Sequence, residues 1–273
     1  MGKILIIKLG AMGDVIRTTP LLHVLNGDIF WVTKAESLPL LPKECINYLV
    51  EIERAESLKE ILFDLVICLD DEYEAAVLAT SLNKRNLIGA YLQDGILTYT
   101  NSSAEWFDMG LISRFGKDKA DAIKMKNTKS YQEIIFRMVG KEFNGEEYVL
   151  NLNGVVKNPK NKDGVVIGIE SRAGDRWIMK QWNKYDELSN LLKKEGYEVR
   201  FFQERKHISE YIQDINDCDV VVSGDTLAMH IALALKKKVV SILTCTSPAE
   251  IFEYDRMLKV VSPLLNQAFY RKD

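Results

Sequence analysis

The chain has 273 residues, 47% of them hydrophobic, and its 36 lysines and arginines nearly balance 39 aspartates and glutamates. That length suits two domains of ordinary size, and the near balance leaves no global field to recruit nucleic acid, so any anion site must be local. Cys45, Cys68, Cys218 and Cys245 show no C-x-x-C spacing, which argues against structural zinc or a disulfide framework and fits a reduced cytosol. No run approaches the roughly 18 to 20 apolar residues of a transmembrane helix, and Lys8 interrupts what would be the apolar core of a signal peptide.

The first 25 residues set the pattern. In KILIIKLGAMGDVIRTTPLLHVL, residues 4–7 form a continuous aliphatic run, as in a parallel strand covered on both faces. Gly10 and Gly13 bracket a turn in which positive φ and close approach of another molecule are expected. Asp14 then stands where the next helix needs its first cap, and Pro20 breaks the helical ladder about two turns in. A loop of this kind lies at the carboxyl end of its strand, where open α/β sheets bind ligands. The glycines read G-x-x-G, short of the dinucleotide fingerprint G-x-G-x-x-G, which disfavours a nicotinamide oxidoreductase.

Further along, 29–33 reads as a strand, followed by an irregular connection to Pro42, and 63–69 as a buried strand ending at Asp70 and Asp71. Those acids read as caps for a helix over 72–82, with a place at a binding cleft as the other reading. The alternation over 87–100 around Gln93, Asp94 and Gly95 predicts a hairpin with an Asp-Gly turn. Residues 101–129 carry Trp106, Phe107 and Phe115 and then Lys117, Lys119, Lys124, Lys126 and Lys129. This stretch reads as a solvated helix face, or as an acceptor-side lid with a basic surface. A helix is expected over 131–139.

The segment NLNGVVKNPKNKDG, 151–164, is the sharpest change of composition and is read as a linker. Beyond it the alternation restarts: strands at 165–169, 198–202, 220–223 and 239–243, and helices at 184–194, 208–215 and 227–235. Two successive βα runs predict an α/β protein with two Rossmann-like domains, 1–155 and 156–273.

Three blocks resemble the family 9 glycosyltransferases, the heptosyltransferase-like family of bacterial lipopolysaccharide assembly. They are KLGAMGDVIRTTPLL, GIESRAGDRWIMKQW and VSGDTLAMHIALALKKKVVSILTCTS. The resemblance implies the GT-B fold, two facing domains with the active site in the cleft between them. It also makes the closing segment 260–273 a candidate to cross back onto the first domain. The implied activity is transfer of a sugar, ADP-heptose-derived sugars included, from a nucleotide diphosphate to a saccharide or glycolipid acceptor of the cell envelope. Transfer would proceed with inversion and without a metal or other cofactor, the nucleotide sugar being substrate. The implied setting is the cytoplasm, with peripheral contact at the inner membrane.

In that resemblance Asp14 matches the general base, and Lys8, Gly13 and Arg17 fall on the acceptor side. Arg172, Arg176 and Lys180 lie on the loop of the middle block, offering fixed charge for the diphosphate. Asp225 and Thr226 open a helix whose end and dipole favour phosphate, with Leu227, His230 and Thr246 nearby. Trp177 and Trp182 read as core anchors. Leu227 stands where the family has Gly, and Thr244-Cys245-Thr246 where it has Gly-Pro-Thr, so the donor pocket is expected to differ. Those two departures keep a second reading open, a non-catalytic nucleotide-sugar or saccharide binding protein.

Overall fold

The computed structural model describes residues 2–156 and 164–271, except for the side chains of 175–177. The chain forms two compact units, Met1–Asn151 and Leu152–Asp273. Most of the expected linker, 157–163, lies outside the described residues. Among the described residues no helix is long and apolar enough to cross a membrane.

In the first unit, strands β1 (Lys3–Ile7), β2 (Asp28–Thr33), β3 (Tyr48–Glu51), β4 (Leu65–Cys68), β5 (Leu87–Gln93) and β6 (Ile96–Tyr99) make one sheet in the order β3-β2-β1-β4-β5-β6. All pairings are parallel except the β5/β6 hairpin. Helices α1 (Met12–Thr18), α2 (Tyr73–Ser81), α3 (Ala104–Phe107), α4 (Lys117–Met125) and α5 (Tyr131–Met138) complete it. The aliphatic run of β1 is explained by burial on both faces. Leu5 and Ile7 pack with Phe30, Phe63 and Val66 on one side, and Ile4 and Ile6 pack with Trp31, Ile134 and Phe136 on the other. This central position carries the end of β1 to the sheet's carboxyl edge.

Several local expectations hold and several change. Asp94 and Gly95 take φ of 53° and 78°, the left-handed pair a two-residue hairpin needs. Pro20 ends the α-helical ladder as expected, and a 3-10 turn, Thr19–His23, follows. Pro20 cannot donate to the Ile16 carbonyl, and the Thr19 hydroxyl does so at 2.7 Å. By contrast, Gly10 and Gly13 do not adopt positive φ; Gly13 is an ordinary helical residue buried in α1. The N-cap of α1 is Ala11, three residues before Asp14, and no side chain caps that end. Asp70 and Asp71 are not the N-cap of α2 either; Glu72 is. Strand β3 was not expected from the sequence. It is a four-residue edge strand with a half-exposed pattern, too short and too mixed to show a buried run.

In the second unit, β7 (Val166–Glu170), β8 (Glu198–Phe201), β9 (Val220–Ser223), β10 (Lys238–Leu243) and β11 (Met257–Val261) form a parallel sheet ordered β11-β10-β9-β7-β8. Its helices are α6 (Tyr185–Lys194), α7 (Ile208–Asn216), α8 (Leu227–Ala234) and the short α9 (Leu265–Ala268). Gly168 in β7 is required by packing, since a Cβ there would meet Phe202 Cζ at 2.3 Å and Cys218 Sγ at 2.8 Å. The edge strand β11 also went unforeseen because three of its five residues face solvent. In the tail, the Tyr270 amide donates to the Cys245 carbonyl at 2.8 Å and the Tyr270 hydroxyl to Glu250 at 3.0 Å, both within this unit. The fold is therefore α/β with two parallel-sheet units.

Candidate active-site and donor-binding groups

In the first unit the candidate groups gather where β1 runs into α1. Lys8 is buried, and its ammonium donates to the Leu69 carbonyl at 3.0 Å and lies 3.3 Å from Asp70 Oδ2. Burial alone would lower the pKa of Lys8; Asp70, with Tyr131 and Asp14 contributing, outweighs it and raises that value above the ordinary lysine range. Lys8 is thus a fixed cation beneath the loop and not a surface charge. Asp70, 2% exposed, accepts the Leu9 and Gly10 amides at 2.8 and 2.7 Å through the same Oδ2 atom. Its role is to organise the β1–α1 turn from the neighbouring strand.

Asp14 lies in the first turn of α1 with its side chain 36% exposed, and its carboxylate is 2.9 Å from Arg17 Nε one turn on. The Arg17 guanidinium lies 4.2 Å from the Tyr131 ring centre and 5.6 Å from that of Trp106. The Lys124 ammonium lies 5.3 Å from the same Trp106 ring, and the two rings meet edge to face. The Tyr131 hydroxyl bonds Thr18 at 3.0 Å, and burial pushes its pKa up. Asp71 is half-buried nearby, and burial raises its pKa despite the pull of Lys8.

The basic stretch is not one uniform face. Lys124 is buried, Lys117 pairs with Asp121 at 2.5 Å, Lys129 pairs with Glu105, and Lys126 is exposed.

In the second unit, Lys180 at the end of the 3-10 turn Asp175–Lys180 donates to the Asp225 carbonyl at 3.0 Å and to its Oδ2 at 3.1 Å. His230, buried on α8, places Nε2 3.6 Å from Asp225 Oδ1. The N-cap of α8 is Thr226, not Asp225, and the Thr226 hydroxyl meets Ser223 Oγ at 2.6 Å without capping the helix. Asp225 thus faces Lys180 and His230 and does not serve as the cap. Leu227 opens α8 and is half-buried, while Thr246 and Cys245 are buried. Burial raises the Cys245 thiol pKa, with Lys180 acting against it.

Arg172 is committed to a neighbour that sequence reasoning missed. Glu170, 4% exposed at the end of β7, accepts Arg172 N and Nε at 2.9 and 2.8 Å through Oε1. Through Oε2 it accepts Arg172 Nη2 at 2.7 Å and the Tyr211 hydroxyl at 2.5 Å. A carboxylate at the end of an otherwise apolar strand was the signal for this clamp. Trp182 packs edge to face on Tyr185 in the core, as expected. Arg176 and Trp177 fall outside the described side chains. Among the described residues no group of three or more His, Cys, Asp or Glu converges as a metal site requires.

Comparison with known proteins bears on this arrangement. The sequence profile of glycosyltransferase family 9 (heptosyltransferase) matches residues 205–271, a stretch that contains Asp225, Thr226, Leu227, His230 and Thr246. No curated protein matches the sequence. Among solved structures, a family 9 glycosyl transferase from Veillonella parvula superposes with a TM-score of 0.69 at 15% identity, covering 99% of this chain and 92% of that one. Escherichia coli heptosyltransferase WaaC, solved with ADP-2-deoxy-2-fluoro heptose, gives 0.62 at 16% identity, with 97% of each chain covered. ADP-heptose LPS heptosyltransferase II of E. coli gives 0.61 at 14%, covering 94% and 90%. The fold is the GT-B fold of these enzymes, and the profile match bears out the family resemblance where it covers the third of the three sequence blocks.

Proposed function

We propose that this chain, which resembles the family 9 glycosyltransferases in sequence over 205–271 and shares the fold of their solved structures, is an inverting, metal-independent glycosyltransferase. It moves a sugar from a nucleotide diphosphate to a saccharide acceptor of the cell envelope. The observation that carries the reading is Asp14: a part-exposed carboxylate in the first turn after the central strand, oriented by Arg17 and not used as a helix cap.

In this reading Asp14 takes the proton of the acceptor hydroxyl as its oxygen bonds the anomeric carbon, and the bond from that carbon to the diphosphate oxygen breaks. The departing diphosphate keeps the electron pair. Lys180, fixed by Asp225, and the amino end of α8 at Thr226 supply the positive end that receives this charge. ADP is the first nucleotide to try, because the similar E. coli WaaC was solved with an ADP-heptose analogue and with ADP.

Leu227 favours a second reading. A leucine at the first position of α8 places a side chain where an anion would approach the helix end, so a protein that binds a nucleotide sugar without turnover fits the same fold. A thermal-shift screen of nucleoside diphosphates and their sugars, with and without EDTA, tests the donor half of the proposal. One nucleotide series should raise the melting temperature equally in both conditions. Stabilisation by none, or only with added divalent metal, would contradict it. Release of nucleoside diphosphate upon adding acceptor separates the enzyme from the binding protein.

A further inference from the structure

Three charged side chains converge beside Gly10 in the first unit. A Cβ built on Gly10 would lie 3.3 Å from Lys8 Nζ, 3.4 Å from Asp70 Oδ2 and 3.6 Å from Asp14 Oδ2. Two of the three are buried and paired with each other, and the third is the part-exposed carboxylate assigned the proton transfer. Asp70 also holds the Leu9 and Gly10 amides, the backbone from which α1 and Asp14 depart.

We propose that Lys8 and Asp70 are a positioning pair for Asp14, Asp70 fixing the turn that presents it and the two opposite charges together setting its acidity. Lys8, on this view, acts through Asp14 and makes no contact with the acceptor. The inference rests on the reading of Asp14 as the general base.

The physical case is one of short distances in a poorly screened place. Both members of the pair are almost removed from water, so each acts on Asp14 with little dielectric shielding, and their effects oppose each other. A buried ion pair adds little net stability compared with apolar residues, so its placement under a reactive loop calls for another reason. Other charged and titratable groups near Asp14 include Arg17 on its own helix, Asp71 beyond β4 and Tyr131 on α5. Arg17 stays charged and Tyr131 neutral throughout the titration, whereas Asp71 also feels Lys8 and Asp70 and is followed alongside Asp14.

The experiment is a four-cornered cycle, wild type, Lys8→Gln, Asp70→Asn and the double variant, in which the Asp14 carboxyl is titrated by carbon-detected NMR. Its resonance is assigned by its loss in Asp14→Asn. Removing the Lys8 charge should raise the Asp14 pKa, and removing the Asp70 charge should lower it, each by on the order of one unit. A role in folding alone would not produce opposite signs. Shifts of the same sign, or none, overturn the proposal.

Any three corners give both signs, so one variant that fails to fold does not spoil the test. If both single variants fail, amide exchange in the double variant decides. Loss of the charged acceptor should speed exchange at Gly10 about tenfold or more, and unchanged protection overturns the proposal. If Asp14→Asn keeps its turnover while the cycle gives opposite shifts, the general-base reading fails and the electrostatic coupling stands.

Discussion

Asp14 and Arg17 stand one helical turn apart with carboxylate and Nε 2.9 Å from each other, and the same guanidinium lies 4.2 Å from the Tyr131 ring centre. The arginine therefore orients the carboxylate while an aromatic ring orients the arginine. Replacement by lysine keeps the charge but loses the planar stack and the close guanidinium–carboxylate contact. Arg17→Lys should lower stability by about 0.5 to 1 kcal/mol in denaturant titration, the usual worth of a partly exposed cation–aromatic contact. A larger effect on transfer than on stability would show that the orientation matters to chemistry.

The Glu170 clamp yields a second expectation. Tyr211→Phe removes one of the hydrogen bonds on a buried carboxylate and leaves the ring packed on Phe202. The unfolding free energy should fall by about 1 to 3 kcal/mol, because the acceptor is charged. A neutral result would mean that Arg172 alone satisfies Glu170.

Asp71 supplies the pH dependence. Burial raises its folded-state pKa above the unfolded value, so its contribution to stability is fully present below the unfolded pKa and is lost as pH rises through the folded one. Asp71→Asn should therefore raise the melting temperature relative to wild type at pH 7. The difference should vanish near pH 3, where both forms are neutral. A variant less stable at pH 7 would show that attraction to Lys8 outweighs burial.

At the donor side, the Thr226 hydroxyl meets Ser223 Oγ and does not cap α8, and in the proposed reading it turns from Ser223 to the diphosphate at the helix end. Thr226→Val should weaken nucleoside diphosphate binding by about 0.5 to 1.5 kcal/mol in calorimetry. EDTA should leave wild-type binding unchanged. Binding abolished by the chelator and restored by magnesium would place a cation between protein and diphosphate.

Much of this was legible in the chain because strong local signals carried it. The apolar run 4–7, the Asp-Gly turn at 94–95 and the composition shift after Asn151 each have a direct physical cause, and the structure shows the first two as expected. What escaped the sequence depends on contacts across long separations. Asp70 looked like a cap for the next helix, whereas its carboxylate turns to amides 60 and 61 residues earlier. Asp14 and Asp225 each looked like helix caps, yet the helices begin so that the caps are Ala11 and Thr226, and the two carboxylates sit in ion pairs with Arg17 and Lys180. Strands β3 and β11 are edge strands, and an edge needs only one buried side, so its pattern is faint in one sequence.

The most direct test of the proposed chemistry compares wild type with Asp14→Asn, using the nucleotide sugar found by thermal shift and following both its binding and its transfer. A general base acts in the transition state and hardly touches the diphosphate, so binding should stay near wild type while turnover falls by on the order of 10² to 10⁴. A folded Asp14→Asn protein with near wild-type turnover would contradict the assignment and leave the carboxylate as a structural partner of Arg17.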